Sequence, residues 1–294
     1  MRIQRALLAV KKTTYSLLEK ADTPEARRLR QMVANDNPTV AGVEASHKEH
    51  VDSLREVRRI LKRRGVVVSE RSRLPTKPIE DVDLIVVVGG DGMVLGVSHS
   101  VWDETPVIAV NSAPSFSVGY LTSCVSQDFD ALLDEVEAER VRPRPVHRLR
   151  VQVGSRLLPE PVLNDALFCT NNPAIICRYQ LGWPDGREMQ RSSGVWVSTP
   201  AGSTSALSSA GGPQLPLYAR QFAFLVREPY APPGHSVRFR SAVLDHTDAL
   251  EIESRTGGIS VFLDGSHRRY PVEFGETVRF TLDDRPLHLI RPPQ

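Results

Sequence analysis

Short continuous apolar runs alternate with helically spaced apolar residues over the first 125 positions of the chain. The mostly β-branched run at 84–88 predicts a strand that is buried on both faces of a sheet. Residues 107–110 predict another buried strand, and residues 5–10 and 66–68 predict two further strands. Helical spacing predicts helices over residues 14–18, 51–61 and 93–101, with Gly65 placed to end the second. The stretch 21–44 is largely polar. Because strands alternate with helices, we predict a parallel, doubly wound α/β sheet.

Beyond residue 125 the pattern changes to short strands with frequent turn signals. A helix over 129–139 and a proline-rich connector over 142–145 precede eight predicted strands, at 148–153, 166–169, 175–181, 195–198, 221–226, 249–254, 260–263 and 278–282. Gly257-Gly258 and Asp264-Gly265 are turn dipeptides. We therefore predict two domains: an α/β domain over 1–125 and a mostly antiparallel, β-rich domain over 126–285.

The overall composition is that of an ordinary globular protein. The 294 residues carry a net charge of +2, with 40% hydrophobic and 24% charged residues. This near-neutral balance indicates neither a nucleic-acid partner nor a membrane surface. The apolar runs are far shorter than the roughly 18 residues that a membrane span needs. We therefore expect a cytoplasmic protein whose partners are small molecules.

Cysteines and histidines do not predict a metal site. Cys124, Cys169 and Cys177 lack the close spacing of zinc ligands, and we interpret them as small buried residues. His47 and His50 lie three positions apart on a predicted helix, but no carboxylates join them. We interpret both histidines as part of a solvated helix face.

The most informative motif is Gly89-Gly90-Asp91-Gly92, which lies between a predicted buried strand and a predicted helix. Ligands bind at this edge of parallel sheets, and the free N–H groups at a helix start favour phosphate oxygens. Glycine also allows a ligand to approach the backbone closely. A carboxylate at such a place indicates that it accepts a proton from a hydroxyl or holds a metal beside the phosphates.

Two further segments are candidates for nucleotide binding. Residues 198–206 and 207–213 follow a predicted strand and are rich in serine, threonine and glycine; they suit a pyrophosphate held by backbone N–H groups, or form a simple polar turn. Asn164-Asp165 offers an amide and a carboxylate for ribose hydroxyls, but such a pair is also common in turns. The P-loop, the full GxGxxG fingerprint and the GxSxG elbow are absent.

Together these motifs resemble the NAD kinase family of ATP-dependent NAD 2′-phosphotransferases. The matching segments occur in the family's order, at 89–92, at Asn111 with 119–122, at 164–165, at 198–204 with 210–213, and at 263–265. The Gly-Gly-Asp-Gly turn alone is shared with diacylglycerol and sphingosine kinases and with phosphofructokinases. The Thr-Pro-x-Gly-Ser-Thr segment at 199–204 points to NAD kinases within that superfamily.

The resemblance implies a Rossmann-like N-terminal α/β domain, a C-terminal antiparallel β-rich domain, and a tail over 286–294 that packs back on the first. It implies transfer of the γ-phosphate of ATP to the 2′-hydroxyl of the adenosine ribose of NAD, with Mg²⁺, giving NADP. Asp91 would activate that hydroxyl. The family also generally forms homodimers or homotetramers. The residues implied to bind NAD are Gly92, Asn164, Asp165, Thr199, Gly202, Thr204, Ser205 and Ser209, and those implied to bind the ATP phosphates are Gly89, Gly90 and Gly92.

Several positions depart from the family's usual pattern. Asp165 replaces a glutamate, Ala206 replaces a tyrosine, and Ser193 replaces an aspartate that contacts the nicotinamide amide. The insertion at 111–119, together with residues 10–15, resembles the divergent branch that includes mitochondrial NAD kinases. The alternatives are a catalytically silent NAD(H)- or NADP(H)-binding module and a lipid or sugar kinase with the same glycine turn. The choices between NAD and NADH, and between ATP and polyphosphate, stay open.

Overall fold

The computed structural model describes residues 2–35, 37–72 and 78–292, which form two compact units. The N-terminal unit holds the described residues up to Arg144 and those from His288 onward, and the C-terminal unit is Pro145–Leu287. None of the described helices is long and apolar enough to span a membrane. Cys124, Cys169 and Cys177 are free thiols, buried or partly buried.

A parallel sheet forms the centre of the N-terminal unit. Its strands are β1 (Arg5–Val10), β2 (Val67–Arg71), β3 (Leu84–Gly89), β4 (Val107–Asn111) and the short β5 (Cys124–Val125). The next strand, β6 (Arg144–Val146), begins at the last residue of this unit before the chain enters the C-terminal unit. Strands β2, β1, β3 and β4 are neighbours in that order, and all of these pairs are parallel. Strand β3 is buried at every residue, which explains its unbroken run of β-branched side chains.

Five helices accompany this sheet, namely α1 (Thr14–Lys20), α2 (Pro24–Ala34), α3 (Ala41–Arg63), α4 (Asp91–Ser98) and α5 (Phe129–Glu137), with a 3₁₀ turn at Pro38–Val40. Helix α3 buries Val57, Ile60 and Leu61, the stripe that its apolar spacing predicts. Helix α2 lies in the polar stretch where no element was predicted. It buries only Ala26, so its sequence carries little periodic signal, although Thr23 caps it and Pro24 opens it.

The C-terminal unit consists of two six-stranded sheets whose neighbouring strands are all antiparallel. The strands are β7 (Leu149–Val153), β8 (Arg156–Leu157), β9 (Asp165–Thr170), β10 (Cys177–Trp183), β11 (Gly186–Ser192), β12 (Gly194–Ser198), β13 (Gln221–Arg227), β14 (Ser241–Asp245), β15 (Leu250–Ser254), β16 (Ile259–Leu263), β17 (Arg268–Val272) and β18 (Thr277–Leu282), and a short helix α6 covers Ala206–Ser209. The strand order is β11-β10-β15-β18-β7-β8 in one sheet and β14-β13-β12-β9-β16-β17 in the other. One hydrophobic cluster takes residues from both sheets, including Phe168, Tyr179, Phe224 and Phe280.

All eight strands predicted for this region are present, but four more were missed. The missed strands β8, β11, β14 and β17 are the four edge strands of the two sheets. An edge strand needs fewer apolar side chains and carries more charge, as in the sequence Gly-Arg-Glu-Met-Gln-Arg-Ser of β11. Apolar patterning therefore identified the interior strands of both sheets and none of their edges.

The division between the units falls at residue 144 instead of the expected 125. Helix α5 belongs to the N-terminal unit because Phe129, Leu133 and Val136 join the same hydrophobic cluster as Val86 of β3. The chain returns to this unit through β19 (Leu287–Leu289), where Leu289 pairs in parallel with Val107 of β4. Residues 293 and 294 of the tail predicted over 286–294 lie outside the described residues.

Candidate functional site

The predicted glycine turn joins the carboxyl end of β3 to the start of α4. Gly90 is the N-cap of the helix and has an extended backbone. A Cβ atom at Gly89 would lie 2.9 Å from Cβ of Met93, so packing alone demands glycine there. A Cβ atom at Gly92 would meet nothing within 4 Å, and Gly92 is exposed. Of the three glycines, Gly92 is the one that faces open space at the helix start, where backbone N–H groups are free.

Asp91, the predicted catalytic residue, is held in place by two backbone amides. Its carboxylate accepts hydrogen bonds from the N–H of Tyr120 at 2.9 Å and the N–H of Leu121 at 2.8 Å. An acidic residue in the first helical turn also suits the helix dipole. Each carboxylate oxygen can accept a second hydrogen bond, so this anchoring leaves capacity for a substrate hydroxyl.

Those two amides come directly after the insertion over residues 111–119, which follows β4. Asn111 organises it, because its Nδ2 donates to the carbonyl oxygen of Ser117 at 2.9 Å and its Oδ1 accepts from Oγ of Ser117 at 3.1 Å. Gly119 has a φ of +68°, and a Cβ atom there would lie 2.6 Å from Nδ2 of Asn111. The glycine is therefore required for the turn that brings Tyr120 and Leu121 to Asp91.

A buried histidine supports the same edge of the sheet, contrary to the prediction of a solvated face. Nδ1 of His50 lies 2.8 Å from Oγ of Ser112, directly after β4. Burial, followed by the charge of Lys11, lowers the pKa of His50 to about 4, so the ring is neutral near pH 7. The missed signal is its spacing, because His50 precedes Leu54 and Val57 by four and seven positions on the buried stripe of α3.

The other histidine, His47, lies near the end of β1. Its Nδ1 is 2.7 Å from Oγ1 of Thr13, and its ring stacks on Tyr15 with centroids 4.8 Å apart. Across the described ranges no three or more histidine, cysteine, aspartate or glutamate side chains are grouped so that they could hold a metal.

A second group of predicted residues lies in the C-terminal unit and is organised by Asp264, which the sequence placed in a turn and in a family-matching segment but not among the site residues. The carboxylate of Asp264 accepts hydrogen bonds from the N–H groups of Asn164 at 2.7 Å, Leu163 at 3.0 Å and Asp165 at 3.2 Å. Asp264 has a φ of 48° and Gly265 a φ of 109°, so the tight turn was predicted correctly. The Leu-Asp-Gly motif therefore fixes the Asn164-Asp165 backbone from the next strand.

The side chains of Asn164 and Asp165 form a polar pair at the start of β9. Nδ2 of Asn164 donates to Oδ2 of Asp165 at 2.7 Å and to Oγ of Ser205 at 3.3 Å. Burial raises the pKa of Asp165 to about 6 and that of Asp264 to about 7. Two carboxylates whose charged forms are costly near neutral pH therefore lie on adjoining strands, a pattern typical of functional sites.

Thr199 and Gly202 contact the backbone of this pair. The fully buried hydroxyl of Thr199 lies 2.6 Å from the carbonyl oxygen of Leu163 and accepts from the N–H of Gly202 at 3.1 Å. A Cβ atom at Gly202 would lie 2.1 Å from the carbonyl oxygen of Asn164. Both residues therefore hold the Asn164-Asp165 segment in place, and glycine is needed at 202 for close packing.

The remaining predicted residues lie along the same loop at increasing distance from the pair. Ser205 is the N-cap of α6 and contacts Asn164. Thr204 is partly exposed, with its hydroxyl 3.5 Å from the carbonyl oxygen of Ala201, and Ser209 is exposed and donates to the carbonyl oxygen of Ser205. The structure thus brings Asn164, Asp165, Thr199, Gly202 and Ser205 into one hydrogen-bonded and packed group, to which Thr204 and Ser209 are peripheral.

Comparison with known proteins covers nearly the whole chain. Residues 19–141 match the family model described as the ATP-NAD kinase N-terminal domain, and residues 133–292 match the ATP-NAD kinase C-terminal domain. The chain is 31% identical over 271 residues to an NADH kinase of Arabidopsis thaliana, covering 84% of this chain and 85% of that protein. It is 27% identical over 287 residues to an NAD kinase of Coxiella burnetii, covering 94% and 93%.

Solved structures share the fold at lower identity. A yeast NADH kinase complexed with NADH superposes with a TM-score of 0.72 at 15% identity, covering all of this chain and 85% of that one. An NAD kinase from Archaeoglobus fulgidus in complex with ATP gives a TM-score of 0.67 at 22% identity, covering 98% and 94%. The predicted fold, an α/β region followed by an antiparallel β-rich region, is confirmed, and so is the resemblance. The chain belongs to the NAD kinase family and is therefore a kinase.

Proposed function

We propose that this chain transfers the γ-phosphate of ATP to the 2′-hydroxyl of the adenosine ribose of NAD, which makes NADP. The observation that carries the proposal is the Asp91 carboxylate, fixed by two backbone amides at a helix start and adjacent to the open position at Gly92. A carboxylate beside a phosphate-binding turn suits a kinase whose acceptor is a hydroxyl. Retention of this aspartate favours catalysis over a silent binding module.

The phosphates of ATP are proposed to lie at the start of α4. The free N–H groups of the first helical turn favour phosphate oxygens, and Gly89, Gly90 and Gly92 allow the backbone to be approached. The exposed Lys11 lies alongside Gly89 and adds a positive charge. Magnesium is proposed to arrive as Mg–ATP, since this ion usually keeps several waters and binds through substrate phosphates.

The chemical step follows from the position of Asp91. The ribose oxygen attacks the γ-phosphorus, the bond between that phosphorus and the bridging oxygen of ADP breaks, and Asp91 accepts the proton of the hydroxyl. In a loose transition state the proton leaves late, so orientation of the hydroxyl supplies much of the acceleration. An aspartate held by Tyr120 and Leu121 is suited to orienting it.

The dinucleotide is proposed to bind through the C-terminal group of residues. Asn164 and Asp165 provide a donor and an acceptor for ribose hydroxyls, and Thr199, Gly202 and Ser205 hold them in position. Gly92, Thr204 and Ser209 are proposed as further NAD contacts. Because NADH carries the same adenosine ribose, and because a plant relative is named NADH kinase, NADH is a second candidate acceptor. Ser193 also lacks the carboxylate that would favour the positive nicotinamide ring of NAD.

A coupled assay tests the proposal directly. Purified protein is incubated with Mg–ATP and either NAD or NADH, and NADP or NADPH is detected with an NADP-specific enzyme. We expect the phosphorylated dinucleotide to form. Dinucleotide binding without turnover would indicate the silent module, whereas neither binding nor turnover would direct the search to other hydroxyl acceptors, such as diacylglycerol.

Replacement of Asp91 by asparagine is expected to lower turnover by a factor on the order of 10² or more, the usual effect of removing a general base. The matched control is D83N. Asp83 also accepts hydrogen bonds from two consecutive backbone amides, those of Gln4 at 2.9 Å and Arg5 at 2.8 Å, but it precedes β3. Turnover of D83N should stay close to wild type when both variants melt alike. Near-normal turnover of D91N would contradict the assigned role.

Replacement of Gly92 by alanine should change the KM for ATP without lowering the stability of the protein. Alanine fits without a clash inside the protein and is favoured over glycine in a helix, so the melting temperature should rise slightly. If phosphates approach the backbone here, the KM for ATP should increase on the order of tenfold, equivalent to about 1.4 kcal/mol. G257A, in an equally open turn, should leave the KM unchanged. An unchanged KM in G92A would place the phosphates elsewhere.

Asp165 should impose opposite pH trends on stability and on binding. Its pKa is raised to about 6 by burial, so between its ordinary value of about 3.9 and pH 6 the folded chain retains a proton that the unfolded chain has lost. Wild type should therefore lose stability relative to D165N as pH rises through this window, by about 1.4 kcal/mol per unit of pKa difference.

Binding should move the other way, because the ionised carboxylate is the better acceptor for ribose hydroxyls. The KM for NAD should fall in wild type as pH rises through about 6, and this change should be absent in D165N. Denaturant unfolding gives the stability trend and initial rates give the trend in the KM for NAD. Both are measured for the two proteins at intervals of about half a pH unit, from roughly pH 4.5 to 8. Parallel profiles for the two proteins would refute the assignment.

A further inference from the structure

A cavity of about 420 Å³ lies in the C-terminal unit. Its walls are the edge strand β11, the neighbouring strand β10 and the loop that follows β13. The volume falls in the range of small-molecule sites. None of the residues predicted to bind NAD or ATP lines it. The side chains that matter here are Arg178, Arg191, Arg255, His235, Tyr230 and Met189.

Three arginines form a row across three consecutive strands at this cavity. Arg178 of β10 and Arg191 of β11 are directly opposite in the antiparallel register. Arg255 follows β15, and its N–H donates to the carbonyl oxygen of Arg178 at 2.8 Å. Like charges directly opposite each other destabilise a sheet. The fold therefore maintains an unfavourable concentration of positive charge at this one position.

Nearby carboxylates do not neutralise Arg178 and Arg191. Arg255 pairs with Glu253 at 2.9 Å, but within the described ranges no carboxylate lies within 4 Å of the guanidinium groups of Arg178 and Arg191. Glu188 also lines the cavity, yet its oxygens accept from the N–H groups of Arg238 and Phe239, both at 2.9 Å. The Glu188 carboxylate is therefore hydrogen-bonded to the backbone and not to Arg178 or Arg191.

Three other arginines on the same sheet, Arg150, Arg187 and Arg279, contact a carboxylate, whereas Arg156 lies 5.6 Å from the ring centroid of Tyr270. Arg187, four positions before Arg191 on β11, lies 3.4 Å from Glu251, and Arg279 of β18 contacts the same glutamate at 2.5 Å. The absence of partners at Arg178 and Arg191 is therefore not a general property of the exposed face.

An aromatic ring and a thioether lie beside the arginine row. The N–H of Tyr230 donates to the carbonyl oxygen of Arg191 at 2.8 Å, which ties the loop to the edge strand. The side chains of Tyr230 and Met189 are 49% and 57% exposed. His235, on the same loop, adds a further donor. Guanidinium groups bind phosphate with good geometry, and an exposed aromatic side chain suits a flat ring.

We propose that this cavity binds a nucleotide, with a phosphate group on Arg178 and Arg191 and the base against Tyr230. The phosphate relieves the repulsion between the two arginines, so binding and sheet stability are linked. The cavity is of a size for one small ligand, whereas an acidic protein partner would need a far larger surface. This inference is independent of the proposed kinase reaction.

Isothermal titration with inorganic pyrophosphate at low ionic strength tests the phosphate contact, since salt screens exposed charges. We compare the wild type with the double variant R178Q/R191Q and with the matched control R187Q. Any pyrophosphate that binds at the start of α4 should bind equally to all three proteins, so it does not contribute to the differences between them. Wild type and R187Q should bind one pyrophosphate more per chain than R178Q/R191Q, or bind it at least tenfold more tightly. Equal stoichiometry and affinity in all three would overturn the proposal.

Titration with ADP tests the contact with the base and distinguishes a nucleotide from free phosphate. The Y230A variant should weaken ADP binding at this site while leaving pyrophosphate binding unchanged. Thermal melting supplies a second readout, because pyrophosphate should raise the melting temperature of R191Q less than that of the wild type. If Y230A and wild type bind ADP equally, the ligand is an inorganic anion, and the nucleotide assignment fails. These results do not depend on whether NADP is formed.

Discussion

The C-terminal unit depends on one buried interaction, the convergence of three backbone N–H groups on the carboxylate of Asp264. A buried backbone N–H that loses its hydrogen-bond acceptor costs about 1–3 kcal/mol, and this carboxyl group serves three of them. The interaction joins the turn after β16 to the segment that opens β9. Thr199 and Gly202 then pack on the fixed carbonyl groups of that segment. The position of every proposed ribose-binding group follows from this one carboxylate.

The N-terminal unit uses the same device at Asp91, with a different consequence. Two amides that directly follow the insertion over 111–119 donate to a carboxylate in the first turn of α4, so the end of the insertion is held next to the glycine turn. Asn111 and Gly119 shape the loop so that the amides reach Asp91. The proposed catalytic group is therefore also a structural one, and its orientation is set before any substrate arrives.

Prediction from sequence succeeded for elements marked by a continuous run or a helical spacing of apolar residues within one segment. The unbroken run in β3 and the helically spaced residues around it identified the parallel sheet, and the fold class is confirmed. The four edge strands were missed because exposed strands such as β11 have no apolar run. His50 was assigned to solvent because a polar residue on a buried stripe looks like an interruption of that stripe. The roles of the individual site residues stay predictions.

Asp264 illustrates a different limit. Its turn was evident from the following glycine, but its three hydrogen-bond donors lie about a hundred residues earlier in the chain. No periodicity connects positions that far apart, so only the family motif drew attention to it. The pairing of Arg178 with Arg191 was likewise invisible, because β11 itself was not predicted and its register could not be known.

The return of the chain through β19 affects the order in which the molecule can be assembled. Leu289 pairs with Val107, the N–H of Ile290 donates to the carbonyl oxygen of Val107 at 2.9 Å, and Ser123 donates to the carbonyl oxygen of Ile290. During synthesis the whole C-terminal unit leaves the ribosome before these contacts can form. Strand β5 pairs earlier with Val110 and Asn111 of β4, so until β19 arrives it is the start of β4, at Val107, that lacks its neighbouring strand, and an open strand edge promotes aggregation. The first half of the polypeptide thus completes its sheet last, and a nascent chain halted before residue 287 would be a natural client for chaperones.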